Sequence, residues 1–305
     1  MKLDEIRERA LKALEKPAPH GIDLDVRSFP PPPSPKSLRD ALARSAHTLA
    51  SLGIDPKSAA YIQVDEEPVE LKTGIPGVRM YTLGGALKEG IVDEYFWKAV
   101  SVDADKYTAA TELFGRHQGY VIIAEKGAKV EQPILACLLL STPGSLQAPH
   151  NIIVVEEGAE LHVTTGCLTA MEMPGLHAGI SEFYIKEGGK LTYTMLHQWT
   201  EATHVRPRTG VIVERNGEYV SHYININPVA SLQSDPKVYL VGEGAKAYLS
   251  SVIMAMNDSE IDIGGSVFLK APRTSAEIVS KVVTRDRASV ITRSLISAES
   301  SESKG

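Results

Sequence analysis

Residues 151–167, NIIVVEEGAELHVTTGC, read as an apolar strand, a turn of two glutamates and a glycine, a second strand, and a cysteine. The same order returns along the chain. GYVIIAEKGAKV (119–130) precedes it, and SEFYIKEGGKLTY (181–193), GVIVERNGEYV (210–220) and KVYLVGEGAKAYL (237–249) follow. The turn positions are 127, 158, 188, 216 and 244, at steps of 31, 30, 28 and 28. Half-copies follow near Asp258, Arg273 and Arg287, 14 or 15 residues apart. A strand–turn–strand unit at a fixed period is the signature of a stacked repeat.

Antiparallel sandwiches also have regular turns, but at about 8–12 residues. A register held over twice the half-step suits a coil in which each turn lays one strand on each of two sheets and successive turns pair in parallel. The expected fold is therefore mainly β: a right-handed parallel β-helix over 119–298, its hand taken from the crossover rule. Residues 1–118 read as a mixed α/β N-terminal region and 299–305 as a polar tail.

In that N-terminal region, Leu3, Ile6, Ala10 and Leu14 lie at helical spacing over 3–16. Pro30 to Pro33 make an extended strap that excludes helix. Ser34-Pro35 opens a helix with Leu38, Leu42, Ala46 and Leu49 on one face and Gly53 at its end. AYIQV (60–64) reads as a strand, and short strands flank the turn at Gly74 to Gly77. Two helices are expected at 93–100 and 104–114, the second opened by Asp103.

The chain has 305 residues and a formal net charge of -6. A mildly acidic chain without a long Lys/Arg cluster is a poor partner for nucleic acid. No apolar run approaches the roughly 18 residues of a spanning helix, and the charged start lacks a secretory core, so a cytoplasmic protein that does not enter the membrane is expected. The nine histidines form no HxH or HExxH pattern, and Cys137 and Cys167 form no CxxC pair. Adjacent Glu156 and Glu157 point apart on a strand end and read as a solvated corner.

Counting nine residues from turn positions 158, 188 and 216 gives Cys167, His197 and Asn225. Strand alternation puts Leu161, Val163 and Thr165 on the face of Cys167, and Leu191, Tyr193 and Met195 on that of His197. The three are expected to stack in one column inside the coil. An imidazole there would let Cys167 ionise below its ordinary value of about 8.5. Cys137, in the apolar PILACLLL, reads as core. The step of 31 puts Ala136 in the Cys167 column and turns Cys137 to the other face, which disfavours a disulfide.

RHQGYVIIAEKGAKVEQPI (116–134), HNIIVVEEGAELHVTTGC (150–167) and GGKLTYTMLHQW (188–199), in that order, resemble the SufB/SufD family of iron–sulfur cluster assembly scaffolds. The resemblance runs from about His117 to Arg293. It implies a cytosolic β-helix scaffold, not an enzyme, that pairs with itself or a SufB/SufD-type paralogue and docks a SufC-type ABC ATPase. Such a scaffold takes sulfur from a donor and supports a transient iron–sulfur cluster. By position, Cys167 inherits the sulfur-accepting role, and Trp199 and His197 line an internal passage beside it. Leu139 stands where SufB-type members carry a polar passage residue. Family chains continue beyond the SESKG-like segment into a strand and helices that carry cluster ligands and the ATPase-docking surface, so no cluster ligand is assigned here. A coil ending at its last rung is expected to pair through its open strand edge. Two other functions fit less well. A purely structural SufD-like partner would not need Cys167, and a carbohydrate-active β-helix enzyme would carry acids on a sheet face that these strands lack.

Overall fold

A computed structural model describes residues 3–33, 50, 59–169, 174–299 and 302–303. The helix expected from Ser34 to Gly53 lies outside the described residues, Ala50 apart. Helix α1 (Leu3–Ala13) and a short 3-10 turn (Val26–Ser28) precede strands β1 (Tyr61–Val64), β2 (Glu67–Leu71) and β3 (Val78–Thr82). Helices α2 (Leu83–Lys88) and α3 (Lys106–Phe114) follow, then the repeating strands. These are β4 (Tyr120–Ala124), β5 (Ile134–Leu140), β6 (Leu146–Gln147), β7 (His150–Val155), β8 (Glu160–Thr169), β9 (Gly175–His177), β10 (Ile180–Ile185) and β11 (Lys190–Gln198). The series continues with β12 (Thr203–Val205), β13 (Arg208–Val213), β14 (Glu218–Asn225), β15 (Ser231–Ser234), β16 (Lys237–Leu240), β17 (Lys246–Ala255), β18 (Glu260–Leu269), β19 (Ser275–Thr284) and β20 (Ser289–Ala298).

These strands wind into a parallel β-solenoid with two sheets, as the period demands. One is eight-stranded, in the order β19-β17-β14-β11-β8-β5-β1-β2. The other is twelve-stranded and takes two strands from most turns. β6, β9, β12 and β15 pair in one column and β7, β10, β13 and β16 in another, and β18 spans both. One strand per turn on each sheet was too simple, because most turns lay two short strands on the second sheet.

The turn column explains the register. Gly127, Gly158, Gly188, Asn216 and Gly244 all have φ between 54° and 72°, a left-handed conformation that glycine and asparagine tolerate best. The amide of each donates to a carbonyl of the next turn: Gly158 to Glu187 at 2.9 Å, Gly188 to Arg215 at 2.8 Å. Stacked corners of one shape keep every following strand in step. Charged side chains at these corners pair in solvent, as Lys126 with Glu157 at 2.7 Å, and contribute little.

Between the sheets lies one apolar core that includes Ile122, Leu138, Ile153, Val163, Phe183, Leu191, Val211, Val238 and Val267. Each such side chain contributes roughly 1.5–3 kcal/mol by leaving water. Antiparallel β2 on β1 and β3 on β4 close the first turn. Helices α1 and α2 and the segment 92–100 cover the outside of β4, β7 and β10, burying Ile6, Ala10, Leu83, Phe96 and Trp97 against Val121, Ile123, Ile152 and Val154.

Two local expectations fail here. Residues 93–100 form turns, not a helix. Trp97 has φ 56°, and the amides of Trp97, Lys98, Ala99 and Val100 all donate to the buried carboxylate of Glu182. That carboxylate offers these amides better partners than a helix would. The next helix is capped by Asp105, not Asp103, through Tyr107 and Thr108 amides. Asp103 instead pairs with Arg9 at 2.7 Å.

Candidate functional site

The turn ladder delivers the column counted from the sequence. His197 is the in-register partner of Cys167 on one side and of Asn225 on the other. All three face inward and are buried, Cys167 and His197 at 1 % exposure and Asn225 at 0 %. Trp199, just beyond β11, is also buried and packs its ring 5.4 Å from that of His197. Sequence reasoning therefore brings four residues to one place.

The register of β5 differs from the expectation. Leu138, not Ala136, is the partner of Cys167. Lys129 bridges to Glu160, but Ile134 pairs with Val163. Two extra residues are thus absorbed at the Gln132-Pro133 step, where proline has no amide to offer a ladder. A shift of two preserves the face. Cys137 packs outside the coil with Leu139 and Leu168, and both thiols are free.

Several neighbours of the column were not foreseen. The Tyr223 hydroxyl lies 2.8 Å from His197 Nδ1, and the Tyr120 hydroxyl lies 3.0 Å from Thr165 Oγ1. His177 stacks 4.9 Å from Trp199 and contacts Gln147 through Nδ1 at 2.9 Å. Asn225 Nδ2 donates to the Asn227 carbonyl at 3.0 Å. Tyr223 was legible, since it precedes Asn225 by two and shares its face. His177 was not, because it arrives from the short extra strand β9, which the repeat count did not contain.

Unpartnered atoms concentrate here. Tyr193 Oη, His197 Nε2, Trp199 Nε1 and Asn225 Oδ1 are buried without a hydrogen-bond partner among the described residues. Each such atom costs about 1–3 kcal/mol unless something fills the gap. A group of four marks an interior suited to water or a polar guest. A surface pocket of about 600 Å³, lined by Trp199, Thr200, Glu201, Ala202, Asn227 and Pro228, adjoins it. Within the coil, a cavity of about 40 Å³ touches Tyr193 and Tyr223.

Burial dominates the electrostatics. It raises the Cys167 thiol far above its ordinary value, with Cys137 adding to the effect, and pushes Cys137 up to about 12. It drives His197 well below its ordinary value, aided by His177, and takes His177 down to about 3. Burial thus works against the low-pKa thiolate expected beside an imidazole. An imidazole eases a thiol's ionisation only if it carries charge, and desolvation keeps this one neutral. No group of three or more His, Cys, Asp or Glu poised for a metal occurs among the described residues. Nor is any described helix long and apolar enough to cross a membrane.

Residues 138–304, which hold this column, match the sequence model of the SufBD core domain of the SUF system for FeS cluster assembly. The chain belongs to the SufBD family. An iron–sulfur cluster assembly SufBD family protein of Methanothermobacter thermautotrophicus strain Delta H is 36% identical over 98% of this chain and 76% of its own length. A SufBD family protein of Archaeoglobus fulgidus is 37% identical over 82% of this chain and 67% of its own. The iron–sulfur cluster assembly protein SufB of Bacillus subtilis is 26% identical over 72% of this chain and 48% of its own. SufBD proteins are of the assembly-scaffold type, and this one is a SufBD-family iron–sulfur cluster assembly protein.

Proposed function

We propose that this SufBD protein is a scaffold that accepts sulfur at Cys167 and supports formation of a nascent iron–sulfur cluster. In this reading it works with an ABC-type ATPase of the SufC kind and pairs with a second copy or a SufB/SufD-type paralogue. The observation that carries the reading is the in-register set Cys167, His197 and Asn225 amid four unpartnered polar atoms. An interior meant only to pack would be filled with apolar side chains, as most of this core is.

The chemistry is thiol–persulfide exchange. The Cys167 thiol loses its proton, and its sulfur attacks the terminal sulfur of a donor persulfide. One S–S bond forms, the donor S–S bond breaks, and the donor leaves as a thiolate. The surface pocket at Trp199 supports approach of the donor from that side. Iron and further sulfide are substrates of the later assembly, for which no ligand set is assigned in this chain.

The deciding experiment exposes the protein to a persulfide-bearing donor and weighs it. The parent and Cys137→Ala are expected to gain one sulfur atom, and Cys167→Ser none. Equal gain by Cys167→Ser would end the assignment. Full burial of Cys167 with a raised thiol favours one second reading, a structural SufD-like subunit that handles no sulfur. That reading requires an unmodified parent that still co-purifies with its ATPase and paralogue.

A further inference from the structure

The surface pocket beside Trp199 is built from corner loops. The chain leaves β11 through residues 199–202, β14 through 226–230 and β17 through 256–259. Side chains tie these loops together across turns. Glu201 accepts a hydrogen bond from Asn257 Nδ2, two turns further on, and the Val229 amide donates to Ser259 Oγ at 3.1 Å. Asn225 of the buried column donates to the Asn227 carbonyl at 3.0 Å. The mouth is thus shaped before any guest arrives, as small-molecule sites largely are.

The charge in this mouth is one-sided. Among the described residues that line the pocket of about 600 Å³, Glu201 is the single charged one. Glu201 is exposed, pairs with no cation among the described residues, and is held by a neutral amide. Arg287, whose amide donates to the Asn257 carbonyl, is taken up by Asp258 in two bonds of 2.6 and 2.7 Å. Trp199, Ala202 and Pro228 give the pocket apolar walls. An ammonium entering here meets a counter-charge, and an anion meets only repulsion.

The same Trp199 indole packs 4.9 Å from the His177 ring and 5.4 Å from that of His197, the ladder neighbour of Cys167. We propose that this pocket selects the sulfur donor as a small persulfide carrying a protonated amine, of the cysteine persulfide class, with Glu201 as the specificity-determining residue. The proposal rests on the reading of Cys167 as a sulfur acceptor. The ammonium pairs with the Glu201 carboxylate, and the short carbon stem packs on the apolar walls. In the exchange described above, Cys167 keeps the terminal sulfur and cysteine leaves as its thiolate. Persulfides without the charged amine lose the attraction and keep only the apolar contact.

The test uses the full chain carrying Cys137→Ala, so that one thiol remains, and follows its mass with time at rising donor concentration. Cysteine persulfide is compared with N-acetylcysteine persulfide, in which acetylation removes the amine charge. Half-saturation is expected at about fivefold lower cysteine persulfide, the scale of one exposed charge pair. Glu201→Gln removes the charge while keeping an acceptor for Asn257 Nδ2. It should raise half-saturation for cysteine persulfide about fivefold, leave its limiting rate alone, and not weaken the acetylated donor. Equal half-saturation by the two donors before the Glu201 change, or a preference that survives Glu201→Gln, overturns the proposal. Calorimetry with S-methylcysteine and its N-acetyl form, which cannot transfer sulfur, separates the two readings. If no sulfur is taken but S-methylcysteine binds in a Glu201-dependent way, the pocket stands and sulfur acceptance falls. If sulfur is taken with no preference for the amine, the pocket assignment falls alone.

Discussion

Within the coil, each turn is held by the turn beside it. Gly158 donates to Glu187, Gly188 to Arg215 and Asn216 to Glu243, every bond a copy of the last. The N-terminal layer is held by few, dissimilar and buried polar anchors. Glu182 collects four backbone amides from 97–100, Asp105 caps α3 while pairing with Arg208 at 2.7 Å, and Asp65 binds Ser141 and Thr142. Stability in the coil is a sum over similar neighbours, so one weakened corner is shared. In the layer, losing one anchor strands several donors at once.

The largest expected break is therefore Glu182→Ala. It leaves four amides and His150 without their carboxylate partner. The expected loss is at least about 4 kcal/mol in urea unfolding, or release of residues 92–100 seen as new cleavage at Lys98. A loss under about 1 kcal/mol with no new cleavage would assign the hold to Phe96 and Trp97 packing instead.

A second difference should appear with pH. Glu66, beside the Asp65 anchor, is 3 % exposed. It accepts from the Ala148 amide at 2.9 Å through one oxygen, and the other oxygen has no partner among the described residues. Burial pushes its carboxyl up to about 8 from 4.5. The folded chain thus binds that proton more tightly than the unfolded chain. Its contribution is full below pH 4.5 and is lost as pH rises through about 8, by up to about 1.4 kcal/mol per unit. Glu66→Gln should flatten that part of the stability–pH curve, and an unchanged slope would show that Glu66 is not its source.

The smallest effect belongs to the ladder itself. Gly158 has φ 66°, and a Cβ there would meet nothing within 4 Å. Gly158→Ala should cost only the left-handed strain, about 1–2 kcal/mol. At Gly119 a Cβ would sit 2.1 Å from the His150 carbonyl oxygen, so the same change should cost more. Equal losses at the two sites would erase the distinction between a repeated corner and a singular contact.

Periodicity fixed the parts of this molecule that repeat. The turn residues demand one backbone shape, that shape recurs every 28–31 residues, and so the column Cys167, His197, Asn225 followed by counting. Such information is local and needs no knowledge of distant contacts. Tertiary structure alone decided the rest. A helical pattern at 93–100 gave way because Glu182, 82 to 85 residues away, offered its amides a charged partner. Most turns lay a second short strand on the larger sheet, and one of these, β9, carries His177 against Trp199. And the protonation of Cys167 and His197 depended on how completely the closed coil shuts out water, which no spacing of residues along the chain records.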